Sequence, residues 1–383
     1  MAPGIDFEAA ERVFSESTDG TVGLEEEFAI VDPASLELIP NFELLRDAAA
    51  ADPALDSAIA GELIRSEIEI RSGVGVGHEQ ARVLQQDHRD RLFAVAAAHG
   101  CALAASGTHP WADYRDQQII DTDHYRRVED DLRWVAWRNN TFSLHVHVGI
   151  NSLDRAVRVS DRLRTVLPQL LALSASSPFL DGRDSGLASV RSQIFTKSFP
   201  RCGIPESFGS WRAYRDYLEL LIKAESIVEY TQVWWSVRPH LSFGTVEVRV
   251  CDSQPTAAES DALAALIVGC VMQAARDEDE GRPCLDVPTG LVEENMWRAI
   301  RYGLDGRMID FDTRSQFESA EILDRLLDWT QPVRAELGLS PTFPARNGAQ
   351  RQRDALASGR TIREVYGDLV RNTESTYAPG VVA

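Results

Sequence analysis

Apolar and charged residues alternate in four segments of the chain, and this alternation predicts four β-strands. "TVGLEEEFAIV" (21–31) carries three consecutive glutamates inside a run that is otherwise apolar. The other three, "ELIRSEIEIRS" (62–72), "TFSLHVHVGI" (141–150) and "GTVEVRVCD" (244–252), place ionisable residues two positions apart. Because side chains two apart share one face of a strand, each of these strands should have a polar face opposite an apolar one.

The rest of the pattern predicts mainly helices, over about 5–17, 78–99, 123–138, 153–177 with a kink at Pro168, 211–229, 256–275 and 289–371. "TQVWWSVRP" (231–239) precedes the fourth strand and predicts a hairpin with it. Residues 178–210 lack periodicity, which indicates a long functional loop. Residues 372–383 are expected to form a loose C-terminal tail.

The order of these elements indicates the fold class. The strands include a hairpin and are spaced unevenly among helices, which favours an α+β fold over a doubly wound parallel sheet. The sequence contains no internal repeat and no linker rich in glycine or proline. We therefore expect residues 1–383 to form a single domain with a core over about 20–371.

Composition excludes several classes of function. The net charge of −20 argues against nucleic-acid and membrane-surface partners. Neither lysine, Lys197 or Lys223, follows a glycine, so the chain has no Walker A motif. We expect no membrane-spanning stretch of 18 or more apolar residues. The five cysteines include no Cys-x-x-Cys pair and no signal peptide precedes them, which predicts reduced thiols and a cytoplasmic location.

The polar faces of the four strands share an unusual composition. They carry Glu25 and Glu27; Glu67, Glu69 and Arg71; His145 and His147; and Glu247 and Arg249. Any one of these faces could simply be solvated. All four together consist mainly of glutamate and histidine, which predicts a divalent-metal site. Carboxylates with one imidazole suit Mg²⁺ or Mn²⁺ better than zinc, and such ions would compensate the buried charges.

Three of the neighbouring ionisable residues have less certain roles. Glu26 points to the apolar side of its strand, so it needs either a salt bridge or a local twist. Glu67 is a weaker candidate than the other glutamates. His145 could bind metal, or it could support a neighbouring ligand through a hydrogen bond.

Six motifs in order carry a family resemblance: "VGLEEEF", "RSEIEI", "SGTHPW", "HVHVG", "LSASSPF" and "RPHLSFGTVEVRVCD". The chain resembles the carboxylate–amine ligase family, also called glutamate–cysteine ligase type 2, from about residue 20 to 370. The resemblance implies a fold similar to the catalytic domain of glutamine synthetase. That fold has a curved, largely antiparallel sheet with helices packed on one side.

The resemblance also implies a reaction. A substrate carboxylate attacks the γ-phosphate of ATP in the presence of Mg²⁺ and becomes an acyl phosphate, and an amine then displaces phosphate. The implied products are an amide, ADP and phosphate. With L-glutamate and L-cysteine as substrates, the amide is γ-glutamylcysteine. Related proteins form dimers, so a homodimer is implied as well.

Residue roles follow from the same resemblance. The implied metal ligands are Glu25, Glu27, Glu69, His147 and Glu247. Arg249 and Arg238 are the candidates for phosphate contact and catalysis, since a guanidinium group binds phosphate oxygens in a fork. Arg191, in "SVRSQIF", is the candidate for binding the substrate's α-carboxylate.

Three alternatives stay open at this point. The same ligase chemistry could use an amine other than cysteine. A metal-dependent hydrolase could be built on His145 and His147, although zinc sites of that kind usually contain more histidines. The chain could also be a binding protein that keeps the fold without turnover.

Overall fold

A computed structural model describes residues 5–380 of the protein. Its strands are β1 (Val22–Val31), β2 (Ile59–Ala60), β3 (Glu67–Arg71), β4 (Ala102–Ala104), β5 (Ser143–Gly149), β6 (Phe179–Leu180), β7 (Arg183–Asp184), β8 (Cys202–Gly203), β9 (Trp234–Trp235), β10 (Val237–His240), β11 (Thr245–Asp252), β12 (Arg307–Asp310) and β13 (Ser315–Glu318). Its helices are α1 (Phe7–Glu16), α2 (Phe42–Ala49), α3 (Pro53–Asp56), α4 (His78–Ala98), α5 (Asp123–Leu132), α6 (Trp134–Trp137), α7 (Leu153–Leu163), α8 (Leu167–Ser174), α9 (Val190–Ser198), α10 (Trp211–Lys223), α11 (Ala257–Asp279), α12 (Thr289–Tyr302), α13 (Ser319–Glu336), α14 (Gly348–Ala357) and α15 (Ile362–Tyr377).

Seven of the strands form one sheet, in the order β10-β11-β5-β1-β3-β2, with β4 also paired to β1. Every pairing in this sheet is antiparallel. The predicted α+β fold with a largely antiparallel sheet is therefore confirmed. All four strands predicted from alternation lie in this sheet, although the second begins at Glu67 instead of residue 62.

The apolar face of the sheet is covered by helices. Leu24, Val146 and Val248 lie on this face and are at most 2% exposed. Helices α7, α8 and α11 pack against β5, β10 and β11, and α4 packs against β1 and β3. Burial of this apolar surface is the main favourable term in the stability of the fold, and it leaves the other face free for a polar site.

Helix α11 corrects one expectation from the sequence. It has 23 residues and is apolar enough, by length and composition, to cross a membrane. In the protein, however, 83% of its most apolar window is buried. Its apolar residues pack in the main hydrophobic core beside α7 and α13, so its composition is that of a core helix.

Glu26 is compensated by a buried salt bridge on the helical side of the sheet. Its carboxylate lies 2.6 Å from the guanidinium group of Arg89, which is fully buried on α4. Gln85 donates to the same carboxylate at 2.8 Å, and the hydroxyl of Ser260 donates to it as well. Burial alone would raise the pKa of Glu26, but the charge of Arg89 and the hydrogen bonds from Arg89, Ser260 and Gln85 together outweigh burial and lower it.

Replacing Arg89 with methionine should destabilise the protein by about 3–5 kcal/mol, because it leaves the Glu26 carboxylate buried without its partner. Urea denaturation of both proteins at neutral pH measures this difference. Adding Glu26→Gln to the variant should recover part of the loss. The stabilisation that Glu26 contributes in the unmodified protein is present above its unfolded pKa and is lost as pH falls through its lowered folded pKa. Equal stability of the variant and the parent protein would contradict the prediction.

Several predicted boundaries were wrong for local reasons. The helix predicted over 153–177 is two helices, and Pro168 lies in the first turn of α8, where its missing N–H is tolerated. The predicted loop 178–210 contains α9. The region 289–371, predicted to be helical, contains the hairpin β12–β13.

The predicted loose tail 372–383 is also corrected. Helix α15 continues to Tyr377, and the side chains of Thr373 and Tyr377 are buried. The Tyr377 hydroxyl donates to the carbonyl of Gln254 at 2.9 Å. Residues 381–383 lie outside the described part of the chain.

Candidate active site

The register of the sheet brings the polar faces of four strands together. β1 lies between β3 and β5, so Glu27 pairs with Glu69 on one side and Glu25 pairs with His145 on the other. β11 lies on the far side of β5 and sets Glu247 opposite His147. Cross-strand partners are close neighbours on a sheet face, so the residues predicted from alternation form one cluster.

This cluster contains three overlapping groups of potential metal ligands. In each group, one ligand atom per residue lies within 4.8 Å of the others. The groups are Glu25, His147 and Glu247; Glu25, Glu69 and His145; and Glu27, Glu62 and Glu69. All five predicted metal ligands belong to at least one group. Glu25 and Glu69 each belong to two groups, so neighbouring cations could share these carboxylates.

His147 has the orientation of a metal ligand. Its Nδ1 is 2.9 Å from the hydroxyl of Thr245, a contact that fixes the ring. Its Nε2 is buried without a hydrogen-bond partner and lies 3.3 Å from a carboxylate oxygen of Glu25. A buried nitrogen aimed at carboxylates fits coordination to a divalent cation, which would satisfy it.

His145 lies inside the cluster and supports two of its glutamates. Its Nδ1 is 3.1 Å from a carboxylate oxygen of Glu25, and its Nε2 is 2.8 Å from the Ser143 hydroxyl. That hydroxyl donates to Glu27 at 2.6 Å. Both roles considered from the sequence, ligand and support, are therefore compatible with the position of His145.

Glu62 is the site residue that the sequence analysis missed. It belongs to one ligand group with Glu27 and Glu69. Alternation over 62–72 would have placed it on the face opposite Glu69, because the two residues are seven positions apart. The chain instead turns at residues 65 and 66 before β3 begins, and this turn brings Glu62 back to the polar side.

One half of the cluster holds protons more tightly than ordinary carboxylates do. Burial, and then the charge of Glu27, raise the pKa of Glu62 to about 8. Burial and the neighbouring carboxylates also raise the pKa of Glu67 and of Glu69 well above the usual value. A metal ion needs these ligands deprotonated, so binding at this end should release protons.

The other half of the cluster is held ionised. Burial opposes ionisation of Glu247, but Arg238 and Arg249 keep its pKa well below the usual value. Burial likewise opposes ionisation of Glu25, but the charge of His147 and the hydrogen bonds with His145 and His147 together keep its pKa well below the usual value. Burial lowers the pKa of His147, but Glu25 and Glu247 raise it overall. The two halves therefore differ in charge before any cation binds.

The two predicted phosphate-binding arginines differ in how many of their guanidinium donors are unused. Arg238 donates to Glu247 at 2.6 Å and also to the carbonyls of Thr231 and Val233, so most of its donors are used. Arg249 donates to Glu247 through Nη1, and its Nε is buried without a partner. Its Nη2 makes no hydrogen bond to the described residues and is not a fully buried atom, so Arg249 has a donor left for a ligand in a cavity that it borders.

Arg191 is not brought to the lining of the cavities beside the cluster. Its side chain is buried against β11, and its guanidinium group donates to the carbonyls of Val250 and Arg249 at 3.1 and 3.2 Å. Its role in binding a substrate carboxylate stays a prediction.

Two cavities adjoin the cluster and meet at Glu25 and Arg71. One has a volume of about 570 Å³ and extends past His147 and Phe243. The other has a volume of about 410 Å³ and is bordered by Arg238, Arg249 and five glutamate or histidine side chains of the cluster. Its remaining wall includes Tyr125, Val128, Phe195, Phe199 and Trp234. The metal-ligand cluster therefore lies between two spaces that could each hold a substrate.

Comparison with known proteins shows the family of the chain. The family model described as Glutamate-cysteine ligase family 2 (GCS2) matches residues 21–371. A protein of Sorangium cellulosum (strain So ce56) is 40% identical over 360 residues, covering 92% of this chain and 96% of its own length. A protein of Solibacter usitatus (strain Ellin6076) is 34% identical over 373 residues, covering 95% and 96%. Both carry the name "Putative glutamate--cysteine ligase 2".

Two solved structures share the fold at low identity. The glutamate–cysteine ligase of Francisella tularensis, solved in complex with AMP, superimposes with a TM-score of 0.67 at 12% identity, covering 94% of this chain and 89% of its own. A bifunctional glutathione synthetase from Pasteurella multocida superimposes with a TM-score of 0.65 at 14% identity, covering 97% of this chain and 54% of its own. At these identities the likeness shows the fold.

Proposed function

This chain belongs to the glutamate–cysteine ligase family 2 and is an ATP-dependent ligase, and from that premise we propose that it joins L-glutamate to an amine, with L-cysteine as the first candidate. The proposed reaction passes through a γ-glutamyl phosphate and yields ADP and phosphate. The observation that carries the proposal is the chain of three ligand groups that share Glu25 and Glu69 beside Arg249. The family assignment favours this ligase over a hydrolase built on His145 and His147.

The donor set supports magnesium as the metal, with Mn²⁺ as a substitute. It consists of five carboxylates and two imidazoles, and oxygen-rich sets of this kind suit hard divalent cations. Bound there, Mg²⁺ would neutralise charge on the phosphate oxygens. Glu25, His147 and Glu247 would hold one cation, and Glu27, Glu62 and Glu69 another.

The two cavities support an arrangement of the substrates. The larger cavity borders His147, Phe243 and residues 72–74, and we assign it to the nucleotide. The smaller cavity borders Glu62, Glu69 and Arg249, and we assign it to the acid and the amine. In this arrangement the γ-phosphate lies over the cluster between the two cavities, within reach of the free donors of Arg249.

The protein's own residues then have three tasks. Arg249 stabilises charge on the transferred phosphoryl group, because guanidinium donors match its oxygens, and Arg238 contributes its positive charge beside Glu247. The rigid strands hold the attacking carboxylate and the phosphate in reactive proximity, which is a large part of phosphoryl-transfer catalysis. The apolar wall of the smaller cavity limits access of water, which would hydrolyse an acyl phosphate.

The nucleotide products test this proposal. Enzyme, Mg·ATP and L-glutamate are incubated with each of a panel of amines that includes L-cysteine, and the nucleotides are resolved by chromatography. We expect ADP and inorganic phosphate in amounts that depend on both glutamate and the amine, because the metal cluster suits transfer of the terminal phosphoryl group. Reactions without glutamate or without an amine are the controls.

Formation of AMP and pyrophosphate would contradict the acyl-phosphate route, since it requires attack at the α-phosphate. If the best amine is not cysteine, the ligase proposal stands and only its second substrate changes. If no amine supports nucleotide turnover, the proposed reaction is wrong.

A further inference from the structure

The strand that carries Arg249 is irregular at that residue. The pairing of β11 with β5 shifts by one residue between Val248 and Cys251. Two residues of β11, Arg249 and Val250, therefore occupy the length that one residue takes on β5. A bulge of this kind bends a strand and changes the direction in which its side chains point, so the aim of Arg249 depends on the conformation of the bulge.

Arg191 binds the bulge directly. Its Nη1 donates to the carbonyl of Val250 at 3.1 Å, and its Nη2 donates to the carbonyl of Arg249 at 3.2 Å. These are the carbonyls of the two bulged residues. The Arg191 side chain is only 5% exposed, and a carboxylate oxygen of Asp252 lies 3.8 Å from its Nη1. One planar guanidinium group thus holds both bulged peptides at once.

The base of Arg191 is itself fixed to the same strand. Arg191 lies in the first turn of α9, whose N-cap is Ser189. The hydroxyl of Ser189 donates to Asp252, the last residue of β11, at 2.8 Å. The backbone N–H of Arg191 donates to the hydroxyl of Ser177, which donates to Asp252 as well. Helix α9 and the end of β11 therefore share one buried hydrogen-bond network.

We propose that Arg191 is a positioning residue, which fixes the β11 bulge and so aims the guanidinium group of Arg249 at the phosphate in the cavity. This inference rests on the proposed function for its catalytic consequence. It differs from the role predicted from the sequence, in which Arg191 binds the α-carboxylate of the substrate. In the structure, the two terminal nitrogens of Arg191 face backbone carbonyls, and its side chain does not line either cavity.

The two roles predict different kinetics for Arg191→Lys. A lysine cannot reproduce a planar two-pronged contact, so the bulge should relax and Arg249 should be misplaced. We expect kcat to fall by about 100-fold, the size of effect that a misplacement of about 1 Å can cause. The KM for glutamate should stay within about threefold of the parent value, because no contact to glutamate is removed.

A double-mutant cycle with Arg249→Lys tests whether the effect passes through Arg249. The readouts are kcat and the dissociation constant of Mg·ATP measured by calorimetry, which does not require turnover. Each single variant should weaken Mg·ATP binding by about tenfold, equal to about 1.4 kcal/mol. The double variant should bind Mg·ATP little more weakly than Arg249→Lys alone, because residues that act as one unit are not additive.

Arg164→Lys is the matched control. Arg164 is also buried and also donates to two carbonyls, those of Pro205 and Val287, but it lies outside both cavities. This variant should lose stability without a change in Mg·ATP binding. Arg191→Gln, which keeps one donor, serves as the second variant if the lysine variant does not fold.

Four results would overturn the proposal. For Arg191→Lys, they are a glutamate KM raised tenfold or more with kcat unchanged, and unaltered Mg·ATP binding. The other two are additive effects in the double-mutant cycle, and loss of folding in both Arg191 variants while Arg164→Lys stays folded. Absence of ADP release by the parent protein with every amine would refute the proposed function. The Mg·ATP measurements would still decide the role of Arg191.

Discussion

Replacing Glu25 with glutamine is expected to lower amine-dependent ADP release by about 1,000-fold. This is the upper end of the effect of removing one stabilising group from a preorganised site. Glu25 belongs to two of the three ligand groups, and its carboxylate also contacts His145 and His147. Glutamine has nearly the same shape but removes the negative charge that would hold a cation together with His147 and Glu247. The measurement is steady-state ADP release at saturating Mg·ATP, glutamate and the best amine.

Glu318→Gln is the matched control for this variant. Glu318 is largely exposed and pairs with exposed Arg307 at the edge of the β12–β13 hairpin, so its neutralisation should leave turnover unchanged. The Glu25 variant should also keep its folded structure, as judged by its thermal unfolding transition. ADP release within about tenfold of the parent protein would show that Glu25 does not hold an essential cation.

Replacing Arg249 with lysine should lower kcat by about 100-fold although the charge is kept. Arg249 donates to Glu247 through Nη1 and has a buried Nε without a partner. Arg249 therefore binds the carboxylate of the proposed metal ligand Glu247 and has a further donor beside the cavity. A lysine ammonium can contact either Glu247 or a phosphate in the cavity, but it cannot contact both in one plane.

Arg307, the exposed residue that pairs with Glu318, supplies the control for this prediction. Arg307→Lys keeps a surface ion pair that contributes little to stability, and it should turn over as the parent protein does. A glutamate titration separates the effects on kcat and KM in the Arg249 variant. Turnover within about twofold of the parent would contradict a catalytic role for Arg249.

The polar faces could be predicted from the sequence because a strand has a period of two. Glu25 with Glu27, and His145 with His147, keep that period without interruption, so the face of each followed from its position. Their meeting in one cluster then required only that the strands be neighbours. Glu62 could not be found in this way, because a turn between it and β3 changes the parity on which the argument depends.

The missed elements have different physical causes. The strands β12 and β13 are four residues each, and most of their side chains are partly or fully exposed, so they carry no clear alternation. The continuation of α15 was missed because Thr373 is polar. Its position between Leu369 and Tyr377 nevertheless keeps the four-residue spacing of a helix face, and all three side chains are buried.

The role of Arg191 lay beyond sequence reasoning for another reason. A β-bulge depends on how two strands pair, and the amino-acid sequence of β11 alone does not show that it has an extra residue opposite β5. Without the bulge, an arginine at the start of a helix near a predicted site indicates a contact with substrate as readily as a contact with backbone.

The salt bridge between Glu26 and Arg89 bears on how the chain selects one pairing of β1 during folding. A slip of β1 by one residue would exchange its two faces. Glu26 would then face the cavity, and Glu25 and Glu27 would both enter the apolar layer. Arg89 provides one buried guanidinium group there, so at least one carboxylate would be left uncompensated, at a cost of about 3–5 kcal/mol. The three consecutive glutamates therefore disfavour a misregistered pairing of β1, and Glu26 contributes to this from the face of the strand opposite Glu25 and Glu27.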